Sequence, residues 1–201
     1  MIDNIYSQFY QHPNIGIACL YADFKDQTNQ VLVHILGSFL RQLLTTSQEP
    51  IPEKVIQKLL DIRRLGGKVG VEDNLAFLKI LLHQLKCAFI CIDAIDELEP
   101  QVLRQLLKVL RELSSNSARL FLTGRDHIRS EIEKFFQTSQ SYATTISASQ
   151  HDIQEFVRQQ IADDPNEDAM DKALEKDTID AIVKKSDGMW VLKFEGYYSY
   201  Y

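Results

Sequence analysis

The stretch that most constrains this chain is Cys87–Pro100, which reads CAFICIDAIDELEP. Cys87 to Ile92 is an unbroken apolar run rich in β-branched and aromatic residues. That is the pattern of a strand buried on both faces, as in the middle of a parallel sheet. The strand ends at Asp93, and Asp96 and Glu97 follow before Pro100 opens an amphipathic helix. Three carboxylates therefore stand at the carboxyl end of a buried strand, where open α/β sheets bind their ligands. Taken alone, the same acids are equally well a polar strand end with solvated helix-capping groups.

The rest of the chain supplies what such a strand needs on either side. Ile2–Gln11 carries apolar residues at a helical spacing and stops at His12-Pro13-Asn14. Gly16–Phe24 (GIACLYADF) predicts a second apolar strand, and its Asp23 falls near the Asp93 end of the neighbouring strand as an exposed strand-end acid. Gln27–Leu44 has a clear apolar stripe of Val31, Ile35, Leu36, Phe39, Leu40 and Leu43. Helices are also expected at Glu53–Arg63, Glu72–Leu85 and Pro100–Leu113, and a third strand at Arg119–Leu122. Asp126–Phe136 predicts a helix, Tyr142–Ile146 a short strand, and Ser149 a capping box for helix His151–Ala162. A last helix is expected at about Ala169–Lys185. The Gly66–Gly70 turn does not cradle phosphate: position 62 is Ile rather than Gly, Lys68 precedes Val69, and a helix rather than a strand leads into it. It is a helix–helix turn.

Bulk properties narrow the function. A formal net charge of −6 argues against a nucleic-acid surface, which needs a concentrated basic patch. No apolar run reaches the length of a membrane span, and Asp3 and Asn4 interrupt any signal-like start. Cys19, Cys87 and Cys91 all fall in expected strands; Cys87 and Cys91 are about 13 Å apart along one strand, too far to bridge. Such thiols suit a reducing compartment, so the expected location is the cytoplasm. The spacings of zinc sites and of a hydrolase nucleophile elbow do not occur, and the five scattered histidines suit surface or helix-end roles.

Four apolar residues followed by Asp93-Ala94-Ile95-Asp96-Glu97 resemble the Walker B segment of NACHT-type NTPases of the STAND class. The nearest form is the nephrocystin-3-like N-terminal domain of fungal NOD-like receptor proteins. Ala118–Arg125 (ARLFLTGR) with DHIRSEIEKFF resembles the family's next strand and its sensor 1 arginine. ISASQHDIQEFV resembles the entry to the helical lid and KKSDGMWVL the Gly-Met turn beyond it. The resemblance runs from about residue 1 to about residue 192. It implies a three-layer P-loop NTPase-like parallel sheet flanked by helices, at residues 1–148, with a helical lid stub at 149–192 and a divergent tail at 193–201. It also implies an ATP-driven signalling switch. Asp93 would orient the Mg²⁺ of bound ATP, Asp96 and Glu97 would position or activate the attacking water, and Arg125 would contact the γ-phosphate.

Two departures qualify that implication. The family's first strand and its Gly-x₄-Gly-Lys-Ser/Thr loop have no counterpart among these residues, so the chain is expected not to be a competent ATPase and to bind neither ATP nor Mg²⁺ alone. The tail Lys193–Tyr201 (KFEGYYSYY) is unlike lid sequence. In the related fold the absent strand lies between Arg119–Leu122 and Tyr142–Ile146. The first of these is therefore expected to have an unpaired edge and the second to be detached. The alternatives to a degenerate switch are an interaction module that modulates full-length NACHT proteins by joining their oligomers, or a non-functional gene fragment. No membrane or nucleic-acid partner is expected.

Overall fold

The unbroken apolar runs decide the centre of the molecule. In the computed structural model β1 (Ile15–Tyr21) and β2 (Cys87–Asp93) run parallel, with Ile17 opposite Phe89, Cys19 opposite Cys91 and Tyr21 opposite Asp93. On the other side of β2, β3 (Ala118–Gly124) is parallel too, with Ile90 opposite Leu120 and Ile92 opposite Leu122. The structure describes residues 2–10, 12–47, 50–114, 117–136, 141–146, 149–163, 172–185 and 191–195. As its unbroken apolar run requires, β2 is buried on both faces.

The helices are α1 (Ile2–Phe9), α2 (Leu32–Ser47), α3 (Glu53–Arg64), α4 (Val71–Gln84), α5 (Pro100–Ser114), α6 (Arg129–Phe135), α7 (Gln150–Ala162) and α8 (Lys172–Lys185). Each falls within a few residues of its expected place. The largest shift is at α2, which begins at Leu32 rather than Gln27. The intervening residues are held by a 3-10 turn over Phe24–Asp26, and the Gln30 side chain pairs with the Asp23 backbone. The expected helix at 126–136 divides into a 3-10 turn, Asp126–Ile128, and then α6. Residues 169–171 of the last expected helix, and the Gly-Met turn at Gly188 and Met189, lie outside the described residues.

One face of the sheet carries the main core. Ala18, Ala88, Ile90, Ile92, Leu120 and Leu122 meet Leu36, Phe39 and Leu43 of α2, Leu78 and Leu81 of α4, and Leu106 and Leu110 of α5. Gly16 lets α2 and α4 close on the sheet here, since a Cβ at that position would lie 2.8 Å from both Leu43 Cδ2 and Leu85 Cδ1. The opposite face holds a smaller cluster of Ile17, Phe89 and Cys91 under Ile5 of α1, with Phe9 stacked on Phe89 at 5.1 Å.

The far side of the sheet corrects one expectation. β3 is not left with an open edge, and β4 (Ser141–Thr145) is not detached. A fifth strand, β5 (Val191–Glu195), lies between them and pairs antiparallel with both. The sheet order is β1-β2-β3-β5-β4. The physical reason is that a strand edge is a row of unsatisfied N–H and C=O groups, which accepts an extended segment in either direction. Among the described residues no helix is long and apolar enough to cross a membrane.

Candidate functional site

The chain leaves β2 through a sharp reversal. Ala94 takes left-handed backbone angles (φ 52°, ψ 43°), uncommon for a residue with a Cβ. A 3-10 turn, Ile95–Glu97, follows at once, closed by a 2.8 Å bond from the Glu97 N–H to the Ala94 carbonyl. This reversal turns Asp96 and Glu97 back toward the end of β3 instead of out into solvent.

Thr123, near the end of β3, stitches the reversal in place. Its hydroxyl donates to an Asp93 carboxylate oxygen and accepts the Ala94 N–H at 2.9 Å. Asp93 is thereby oriented on the face shared with Tyr21. Asp96 is held from the neighbouring turn: its Oδ1 accepts the Arg125 N–H at 3.2 Å. Gly124 makes that approach possible. A Cβ there would stand 3.3 Å from Asp96 Oδ1 and 2.6 Å from Ile128 Cδ1, so any larger residue would displace the acid or the helix behind it.

Arg125 bridges the two later acids. Its Nε lies 3.6 Å from Asp96 Oδ2 and its Nη2 3.8 Å from Glu97 Oε1. The Asp96 side chain is only 3% exposed, whereas that of Arg125 is 57% exposed. Both ion pairs are long. The other Glu97 oxygen accepts the Phe24 N–H at 3.3 Å, which ties the segment after β1 to the same cluster. Asp23, by contrast, is committed elsewhere: it caps the 3-10 turn, accepting the Lys25 N–H at 2.8 Å, and is exposed as expected of a strand-end acid.

All four residues singled out in the sequence thus meet at the carboxyl ends of β2 and β3. Thr123 and Gly124 complete the arrangement, and no motif in the sequence marks the role of either. Their only signal there is position, a hydroxyl and a glycine directly before the arginine.

Three carboxylates against one guanidinium leave a site of negative charge made of hard oxygen donors. That chemistry fits Mg²⁺, which takes one or two carboxylates and fills its remaining positions with water and phosphate oxygens. Asp93 is the acid best placed for it, since no cationic side chain among the described residues pairs with it. Among the described residues no group of three or more His, Cys, Asp or Glu side chains could itself hold a metal ion.

Three parallel strands joined by helical crossovers, with helices against both faces, make this an α/β protein with a three-layer, P-loop-like fold. Within that class the chain belongs to the nephrocystin 3 N-terminal family, whose model matches residues 1–125. The matched segment contains β1, β2 and β3 and ends on Arg125, so it includes every candidate site residue. No curated protein and no solved structure matches the chain.

Proposed function

We propose that the chain is the nucleotide-switch core of a NACHT-type, STAND-class signalling protein, degenerate in these 201 residues. The observation that carries this reading is the convergence of Asp93, Asp96, Glu97 and Arg125 where β2 and β3 end. In it, Asp93 would hold Mg²⁺, its carboxylate oriented by the Thr123 hydroxyl, and the ion would supply positive charge against phosphate oxygens. Glu97, at the solvent side of the turn, orients the attacking water, with the buried Asp96 keeping the turn and Arg125 in register.

Arg125 gives the site its switch character. Its pairs with Asp96 and Glu97 are long and its guanidinium is exposed. It can therefore turn to a γ-phosphate without disturbing β3, and a guanidinium fork suits a phosphate well. In turning it frees Glu97 for water.

What these residues do not supply is a cradle of backbone N–H groups for the phosphates. No Gly-x₄-Gly-Lys-Ser/Thr stretch occurs in the sequence. The expected affinity of this chain for Mg-ATP is accordingly no tighter than about 1 mM. Calorimetric titration tests this directly, and a micromolar dissociation constant refutes it. A fusion that places a family strand and phosphate loop ahead of residue 1 tests the roles. In it Glu97→Gln should keep ATP binding and lose turnover, while Asp93→Ala should lose Mg²⁺-dependent binding. Equal effects of the two changes on binding and turnover would refute that division.

A further inference from the structure

The face of the sheet that carries Asp93 also carries a pair of thiols. Cys19 of β1 and Cys91 of β2 are direct register partners, one side-chain row below the row of Tyr21 and Asp93. Adjacent strands lie about 4.8 Å apart, inside the Cα separation of about 4.4–6.8 Å that a disulfide spans. Both side chains belong to the small cluster under α1, and both are free thiols. They are not equivalent. Cys91 is 1% exposed, whereas Cys19 is only partly buried, at the margin of the cluster.

Two features prepare Cys19 for reaction. The neighbouring Cys91 thiol holds that of Cys19 below its ordinary range, against the opposing effect of burial. Gln42 of α2 clasps the Cys19 backbone from the outer edge, accepting its N–H and donating to its carbonyl, both at 2.9 Å. Cys19 is therefore held in register with Cys91. The third cysteine is a built-in control. Cys87 lies on the same face but its register partner is Ile15, and burial pushes its thiol up.

We propose that Cys19 is a thiol-modification site for low-molecular-weight disulfides, with Cys91 as its resolving partner. The Cys19 thiolate attacks one sulfur of the small disulfide, forming a mixed disulfide and releasing one small thiolate. Cys91 then loses its proton and attacks Cys19 Sγ, releasing the second small thiol and leaving a Cys19–Cys91 bond. The protein dithiol is oxidised by two electrons and the small disulfide is reduced to two thiols. Side chains standing side by side on two strands must lean together to bond, so the product is readily reduced again. The bond would staple β1 to β2 one row beneath Asp93.

The test is peptide mapping of the full chain after exposure to glutathione disulfide and blocking of the remaining thiols. The expected product is a Cys19–Cys91 disulfide with Cys87 still free. In the reduced chain, trace alkylation with iodoacetamide should label Cys19 about tenfold faster than Cys87. Cys91→Ala should stop the reaction at a mixed disulfide on Cys19. Labelling of Cys87 as fast as Cys19, a mixed disulfide that persists on Cys19 of the unsubstituted chain, or no oxidation at any glutathione disulfide excess overturns the proposal. The measurements on the unsubstituted chain decide it even if the variant does not fold.

Discussion

The two edges of this sheet are finished in different ways. At β1 the edge is closed by side chains. Gln42 satisfies both the N–H and the carbonyl of Cys19, and the Thr46 hydroxyl accepts the Ile17 N–H at 2.8 Å and faces the Ile17 carbonyl at 3.1 Å. Gln30 does the same for Asp23 just beyond the strand. Every second residue offers its backbone outward along a strand edge, so one helix with polar groups at Gln42 and Thr46 can stand in for a missing neighbour. At the other edge β4 is five residues long, pairs with β5, and exposes its side chains from Tyr142 onward, Tyr142 at 62%. An edge can be blunted by a nearby helix that evolves with it or by shortness and exposure, and this sheet uses one device on each side.

The comparison implies that stability resides in the β1-β2-β3 half. Leu106→Ala in α5, a fully buried side chain against the sheet, should cost about 2–5 kcal/mol. Tyr142→Ala in β4 should cost no more than about 0.5 kcal/mol. Urea unfolding measures both, and similar losses would erase the distinction between the halves. Hydrogen exchange should agree, with Cys87–Asp93 the slowest strand and Ser141–Thr145 the fastest.

The clasp itself can be opened. Gln42→Ala leaves the N–H and carbonyl of Cys19 without partners in a partly buried place, at a cost of about 1–3 kcal/mol. It also exposes the β1 edge, so the variant should associate more strongly as its concentration rises, by light scattering. A variant that is as stable as the parent and equally monodisperse would mean the helix protects the edge by bulk alone.

The smallest expected effect is at the helix starts. Asp73 at the start of α4 is held below its ordinary value of 3.8 by Lys58, 2.9 Å away, and by the Gly70 N–H. Asp152 at the start of α7 is held low by the Ser149 hydroxyl and N–H. Because both folded values are depressed, their stabilisation is present above pH 3.8 and is lost as pH falls through the depressed values. Five side chains of α4 are buried, Asn74, Phe77, Leu78, Leu81 and Leu82, whereas α7 buries only Val157. Acid should therefore fray α7 before α4, by residue-resolved exchange between about pH 5 and about pH 2. The reverse order would place α7 in the stable half.

Much of this architecture is already written in local pattern. The short apolar runs at β1, β2 and β3 and the apolar stripes of α2, α4 and α5 depend only on which side chains a buried strand or a helix turns inward. They were legible because burial imposes that spacing residue by residue. Asp93, Asp96 and Glu97 could be found for the same reason, as acids at the end of a run too apolar to be anything but buried. The Ser149–Asp152 capping box is likewise a four-residue matter. What tertiary structure alone decided are the meetings between segments far apart in sequence. Thr123 orients Asp93, Gly124 admits Asp96, Gln42 clasps Cys19, and Cys91 lies beside Cys19 through strand register. The clearest case is β5, which fills the position between β3 and β4. Nothing within Val191–Glu195 names its neighbours, because backbone pairing is the same for every sequence. Only the two edges waiting on either side, each with N–H and C=O groups to satisfy, determine that it goes there.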